Sequence, residues 1–203
     1  MAELLQVLSA AASYIPSSTN TAEIPDVSLY DHVKLTAAFA VCMWQYFQAH
    51  QINDYRKECF EKESSRVRNQ PMYLLVSGDL SGIQKFIYTI PSKGALKVFG
   101  SILYLELLVE NIVDEILDAC QVSRSCLLYT GGGHFYMMLP NTDGVESCLE
   151  SFQKQLQEWF LEYYGNRLYM ALAWEPCSAV DLCRKGMEQD GVPKGEPGLG
   201  KAK

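Results

Sequence analysis

The sequence predicts an α+β fold, with four strands and two long helices in β-α-β-β-α-β order behind an N-terminal helical segment. Three observations predict it. The Leu-rich run from Lys97 to Cys120 is too long for a strand and reads as an apolar helix. Two apolar runs, Cys126 to Tyr129 and Phe135 to Leu139, flank three successive glycines as the arms of a hairpin. Val145, Cys148, Leu149, Phe152, Leu156, Trp159, Phe160 and Tyr163 recur at spacings of three and four, one face of an amphipathic helix that Gly165-Asn166 stops. Met72 to Ser77, ending in Gly78-Asp79, supplies the first strand and Leu168 to Trp174 the last. The result is the split βαβ or ferredoxin-like order shared by palms and many RNA-binding sheets, in which both helices cover one face of the sheet.

The N-terminal elements follow from local signals. Ala2 to Tyr14 suits a short helix, and Pro16 to Thr21 is a loop by composition. Ser28 is an N-cap, with Asp31 three residues on, opening a helix that runs to about His50. The chain therefore divides into a helical segment over 1–50, a charged connector over 51–70, a sheet domain over 71–183 and a tail over 184–203. Gly, Pro, Lys and Glu dominate that tail, so disorder is expected there, and its abruptness fits a truncated product, an artificial boundary or a frameshifted remnant alike.

Charge and cysteine usage narrow the function. A net charge of −7 argues against general affinity for nucleic-acid backbone, which comes from Lys and Arg neutralising phosphates. Basic residues do gather locally, at Lys85, Lys93 and Lys97 and at Arg56, Lys57, Lys62, Arg66 and Arg68, but the second group is interspersed with acids and reads as a solvated surface. The seven cysteines form no CxxC pair and accompany no signal-peptide pattern, which fits reduced thiols and a cytoplasmic location. No membrane-spanning run is visible.

Tyr129-Thr130-Gly131-Gly132-Gly133-His134-Phe135-Tyr136 stands where a nucleotidyl-cyclase palm carries its catalytic hairpin. In such palms the turn ends in acids that hold Mg²⁺. Those acids are missing here, so the hairpin reads as one that cradles a nucleotide against bare backbone without supplying metal ligands.

Four segments extend this reading. Pro25 to His32, Gly78-Asp79-Leu80-Ser81-Gly82-Ile83-Gln84-Lys85-Phe86-Ile87, Gly131 to Tyr136 and Pro176-Cys177-Ser178-Ala179 together resemble the large signature subunit of type III-A (Csm) CRISPR effector complexes, from about Ile24 to Leu182. The resemblance implies the end of an HD domain followed by the first of two palms. In that family the palms face each other and bind ATP between them. A GGDD-bearing second palm polymerises it into cyclic oligoadenylate in antiviral defence.

By that resemblance this chain is the receiving half, inactive alone, with Mg²⁺ supplied mainly by the partner palm. Its partners would be the second palm, other Csm subunits and, indirectly, guide RNA. The candidate nucleotide-binding residues are Gly78, Asp79, Ser81, Gly82 and Gln84 on the first turn and Gly131, Gly132, Gly133 and His134 on the hairpin. No catalytic or metal-binding residue is expected. Asp79 orients its turn, and His32, His50 and His134 are too few for a histidine-rich HD metal centre, which leaves Asp31-His32 as a helix cap.

The run Lys97 to Leu105 lacks an Arg found in the family pattern, for which Lys93 or Lys97 would substitute only as point charges. Phe99, Trp159, Phe160 and Tyr163 are assigned to core packing. Two other readings stand beside this one. One is a structural docking piece without nucleotide. The other is a single-stranded RNA-binding domain, disfavoured by acidity and by the lack of an aromatic RNP-type motif on Leu74 to Ser77 or Leu127 to Thr130.

Overall fold

The computed structural model describes residues 2–20, 26–61, 64–88 and 95–182. The tail over 184–203 and Lys93 lie outside them. Helices α1 (Ala2–Ala12) and α2 (Leu29–Ala49) come first, then a short π-helical turn (Lys57–Glu61) and α3 (Ser64–Arg68). The sheet domain follows as β1 (Tyr73–Ser81), α4 (Ile83–Tyr88), α5 (Ala95–Ala119), β2 (Leu127–Gly131), β3 (His134–Pro140), α6 (Asp143–Tyr164) and β4 (Tyr169–Cys177). All strand pairs are antiparallel in the order β2-β3-β1-β4, the ferredoxin-like arrangement.

Local chemistry sets the helix ends. Ser28 Oγ accepts from the Asp31 amide at 3.0 Å and donates to the Asp31 carboxylate at 2.7 Å, opening α2 at the predicted cap. Thr142 caps α6 by accepting from the Val145 amide at 3.3 Å. Gly165, at φ 58°, ends that helix as a residue with a Cβ would do less readily.

The segment after Ser77 differs from the sequence reading in two ways. Strand β1 continues through Gly78 and Asp79 to Ser81, because as a central strand it is paired on both sides there: Gly78 lies opposite Phe135 and Leu172, and Asp79 opposite His134 and Ala171. A turn-forming pair is held extended by two ladders of hydrogen bonds, a tertiary constraint that local propensity does not contain. The short helix α4 then follows Gly82 and was not anticipated.

Alternation along the strands divides the sheet into two faces. Leu74, Val76, Leu80, Phe135, Met137, Leu139, Met170 and Leu172 are all buried, together with Val109, Val113 and Ile116 of α5 and Leu149, Leu156 and Phe160 of α6. On the other face, α2 covers only one end. Phe39 meets the Tyr73 ring edge-on at 5.1 Å between centroids, and Cys42 Sγ donates to the Met138 carbonyl at 3.5 Å. The remaining end of that face is open. Of the aromatics assigned to packing, Phe160 is buried and Trp159 half-buried, but Phe99 and Tyr163 are 65% and 60% exposed. Helical spacing alone made the face too wide.

Several buried groups hold their protons tightly. Burial, with the Asp181 carboxylate nearby, pushes the Cys177 thiol up to about 11. Burial and the neighbouring Cys148 push Cys120 up to about 12. Cys42 is raised by its hydrogen bond with Cys126 and by burial, and Tyr73 chiefly by burial. Each folded-state value lies above the ordinary one, so the stabilisation is complete below the unfolded thiol value of 9.0 and is lost as pH rises through the folded values. Urea midpoints should therefore fall between pH 9 and pH 11, with a shallower fall in Cys177→Ala. Midpoints that stay level over that range would contradict it.

Candidate functional site

The open end of the sheet is built from residues that alternate away from the core. Reading across the strands, one row holds Tyr129, Tyr136, Ser77 and Ala173, and the next holds Gly131, His134, Asp79 and Ala171. Ser81 and Tyr169 pair one step further on. The predicted residues from the two turns thus meet, because β1 and β3 are neighbours. Asp79 Oδ1 lies 3.0 Å from His134 Nδ1, and Ser81 Oγ donates to Asp79 Oδ2 at 3.0 Å. The carboxylate makes Nδ1 the donor, so Nε2 is the ring's remaining hydrogen-bonding nitrogen.

Gly132 and Gly133, at φ 63° and 85°, form a two-residue hairpin turn with both central residues left-handed, a geometry that suits glycine. The Leu80 amide donates to the Gly133 carbonyl at 2.8 Å, tying the turn to β1. Gly131, at φ 157°, also holds a backbone conformation that residues with a Cβ rarely adopt, whereas the Tyr129 hydroxyl, 2.9 Å from where a Cβ would sit, could move aside. Positive φ at all three positions accounts for the triple glycine.

The other predicted glycines are packed. A Cβ on Gly78 would lie 2.1 Å from Phe135 Cζ, so this residue faces the core. One on Gly82 would meet the Arg167 carbonyl oxygen at 2.1 Å, where the turn into α4 presses on the chain entering β4. Gln84 is exposed on α4.

These residues do not fit a resident Mg²⁺. Both Asp79 oxygens are engaged, its neighbours across the ladder are His134 and Ala171, and no second carboxylate shares the row. Among the described residues, no group of three or more His, Cys, Asp or Glu is placed to hold a metal. The strands also contain no Lys or Arg.

What the sequence reading missed is the aromatic character of this face. Tyr129, Tyr136 and Tyr169 are 55%, 44% and 57% exposed, and the Tyr129 and Tyr136 rings lie 6.5 Å apart between centroids. These tyrosines give the sheet an aromatic face although its strands carry no RNP-type motif. The alternating positions of Tyr129 and Tyr136 about the hairpin were the available signal.

Residues 72–192 match the family described as Csm1 subunit domain B. The chain belongs to the Csm1 family. It is 43% identical to the CRISPR system single-strand-specific deoxyribonuclease Cas10/Csm1 (subtype III-A) of Mycobacterium tuberculosis, over 93% of this chain and 23% of that protein. Among solved structures it resembles a Csm1–Csm4 cassette in complex with pppApA, with a TM-score of 0.77 and 32% identity over 90% of this chain and 24% of the other. A Csm1–Csm4 cassette in complex with AMPPNP gives a TM-score of 0.74 and 33% identity over 90% of this chain and 23% of the other. The chain spans about a quarter of the length of the curated Csm1 relatives it matches.

Proposed function

We propose that this chain is the non-catalytic palm half of a type III-A CRISPR large subunit. It binds ATP on the open end of its sheet, opposite a GGDD-bearing second palm, for cyclic oligoadenylate synthesis. The observation that carries the reading is the open row of Gly131, His134, Asp79 and Ala171 beside a glycine turn, with one engaged carboxylate where a catalytic palm needs a metal-binding set. That Csm1–Csm4 cassettes are solved with AMPPNP and with pppApA supports a nucleotide as the ligand. Mg²⁺ would be held by the partner palm, where it would neutralise the triphosphate. This chain's own residues orient and enclose. Asp79 and Ser81 fix the His134 ring, the turn fixes the hairpin edge, and α2 closes the sheet at its Tyr73 end. Such positioning lowers the entropic part of a barrier without acid–base chemistry.

Labelled ATP and Mg²⁺ supplied to this chain, to a GGDD-bearing second palm, and to their mixture test the proposal. Oligoadenylate should come from the mixture only. A mixture shown to associate yet yielding no product would favour a structural docking piece. Product from this chain alone would overturn the non-catalytic assignment.

A further inference from the structure

The open face has a chemical bias that the nucleotide reading does not specify. Its described strand residues offer tyrosines, small side chains and carboxylates, but no cation other than a protonated His134. Asp79 stands in its middle and Glu175 on its β4 margin, in a chain of net charge −7. A triphosphate laid along these strands would meet carboxylates with no Lys or Arg on the strands themselves to offset them, so electrostatics disfavours the strand face as the phosphate site. A base, by contrast, needs an aromatic surface with room beside it. Tyr136 pairs across the ladder with Tyr129 on one side and Ser77 on the other, and Ala173 follows Ser77. The tyrosine pair is about half-exposed and is bordered by two small residues, and Gly131 lets the Tyr129 side chain lie beside the hairpin backbone.

From this geometry we infer that the Tyr129–Tyr136 pair is a stacking platform for the base of the bound nucleotide. The base lies on the tyrosines and the ribose toward Asp79 and His134. The triphosphate points off this sheet toward the partner. The inference rests on the nucleotide reading above and gives it a polarity: this chain selects the nucleoside, and the phosphates are recognised elsewhere. Rows on one face of a strand are spaced roughly 7 Å apart, about the distance from a stacked base to its ribose hydroxyls, so the tyrosine row and the Asp79–His134 row suit one nucleoside. A longer nucleic-acid strand is the poorer occupant, because its phosphates would cross the same acidic surface.

The test compares adenosine, ATP and inorganic tripolyphosphate as ligands of this chain, alone and assembled with the second palm. The proteins are wild type, Tyr136→Ala, Tyr129→Ala and Tyr136→Phe. Both alanine variants should weaken adenosine and ATP by similar factors, roughly 5- to 100-fold, as loss of base–aromatic stacking does. Tyr136→Phe should stay within about threefold, because the ring is kept. Tripolyphosphate should be bound equally by all four, and association with the second palm should be unchanged. ATP binding that survives both alanine substitutions would overturn the platform and leave the nucleotide reading standing. Loss of association in Tyr136→Ala would also overturn it, by making the tyrosines a protein interface. Absence of ATP binding by the wild-type assembly would remove both.

Discussion

Gly78→Val should be among the most damaging single substitutions in this chain, costing about 3 kcal/mol or more in urea unfolding followed by circular dichroism. A Cβ at this position would lie 2.1, 2.2 and 2.8 Å from three atoms of the Phe135 ring. Phe135 is fully buried in the sheet core and cannot swing aside, and Gly78 sits on a strand paired on both sides, so the backbone cannot yield either. Phe135→Leu in the same chain should recover part of the loss, because a smaller side chain vacates the ring's volume. A double-mutant cycle reads that coupling directly. If the two changes simply add, steric conflict with Phe135 is not the cause. Gly144→Ala is the matching control, since a Cβ there meets nothing within 4 Å, and it should be neutral or slightly stabilising. A nucleotide-contact role for Gly78 would instead leave stability intact.

Phe160→Ala should destabilise by about 3–5 kcal/mol, while Tyr163→Ala, one turn along the same helix, should stay within about 0.5 kcal/mol. Phe160 is 1% exposed and packs edge-on to Trp159 at 5.2 Å between centroids, whereas Tyr163 is 60% exposed. The first change leaves a cavity under α6. The second removes a largely exposed ring whose centroid lies 5.2 Å from that of Trp159. Equal effects on the urea midpoint would mean that the outer side of α6 is covered in solution.

Helix α6 shows how far sequence periodicity reaches. Its cap at Thr142 and its stop at Gly165 are local chemistry, and its buried stripe of Val145, Leu149, Leu156 and Phe160 follows from spacing. Spacing does not place the edge of the stripe, and it extends the core to Tyr163, which is exposed. That edge depends on where the sheet lies beneath the helix. Helix α5 repeats the lesson at Phe99, which belongs to a Leu-rich run but stands 65% exposed.

The candidate site divides in a similar way. That two glycine-containing segments carry it was legible, because turn residues between apolar runs are a local signal. Their division of labour was not. Gly78 and Gly82 serve packing against Phe135 and the Arg167 carbonyl, contacts between residues 57 and 85 positions apart in the chain. The pairing of Asp79 with His134 depends on β1 lying beside β3, and the tyrosine face depends on a two-residue turn setting the register of β2 against β3.

By itself, then, the sequence determined the types and order of the long helices and the four strands, the Ser28 cap, the Gly165 stop and the absence of hairpin acids, all consequences of short-range sterics, hydrogen bonding and hydrophobic period. Only the tertiary structure decided which side chains share a face. Strand parity converts a one-residue difference in register into the opposite side of the sheet, and register is set by pairing between distant segments.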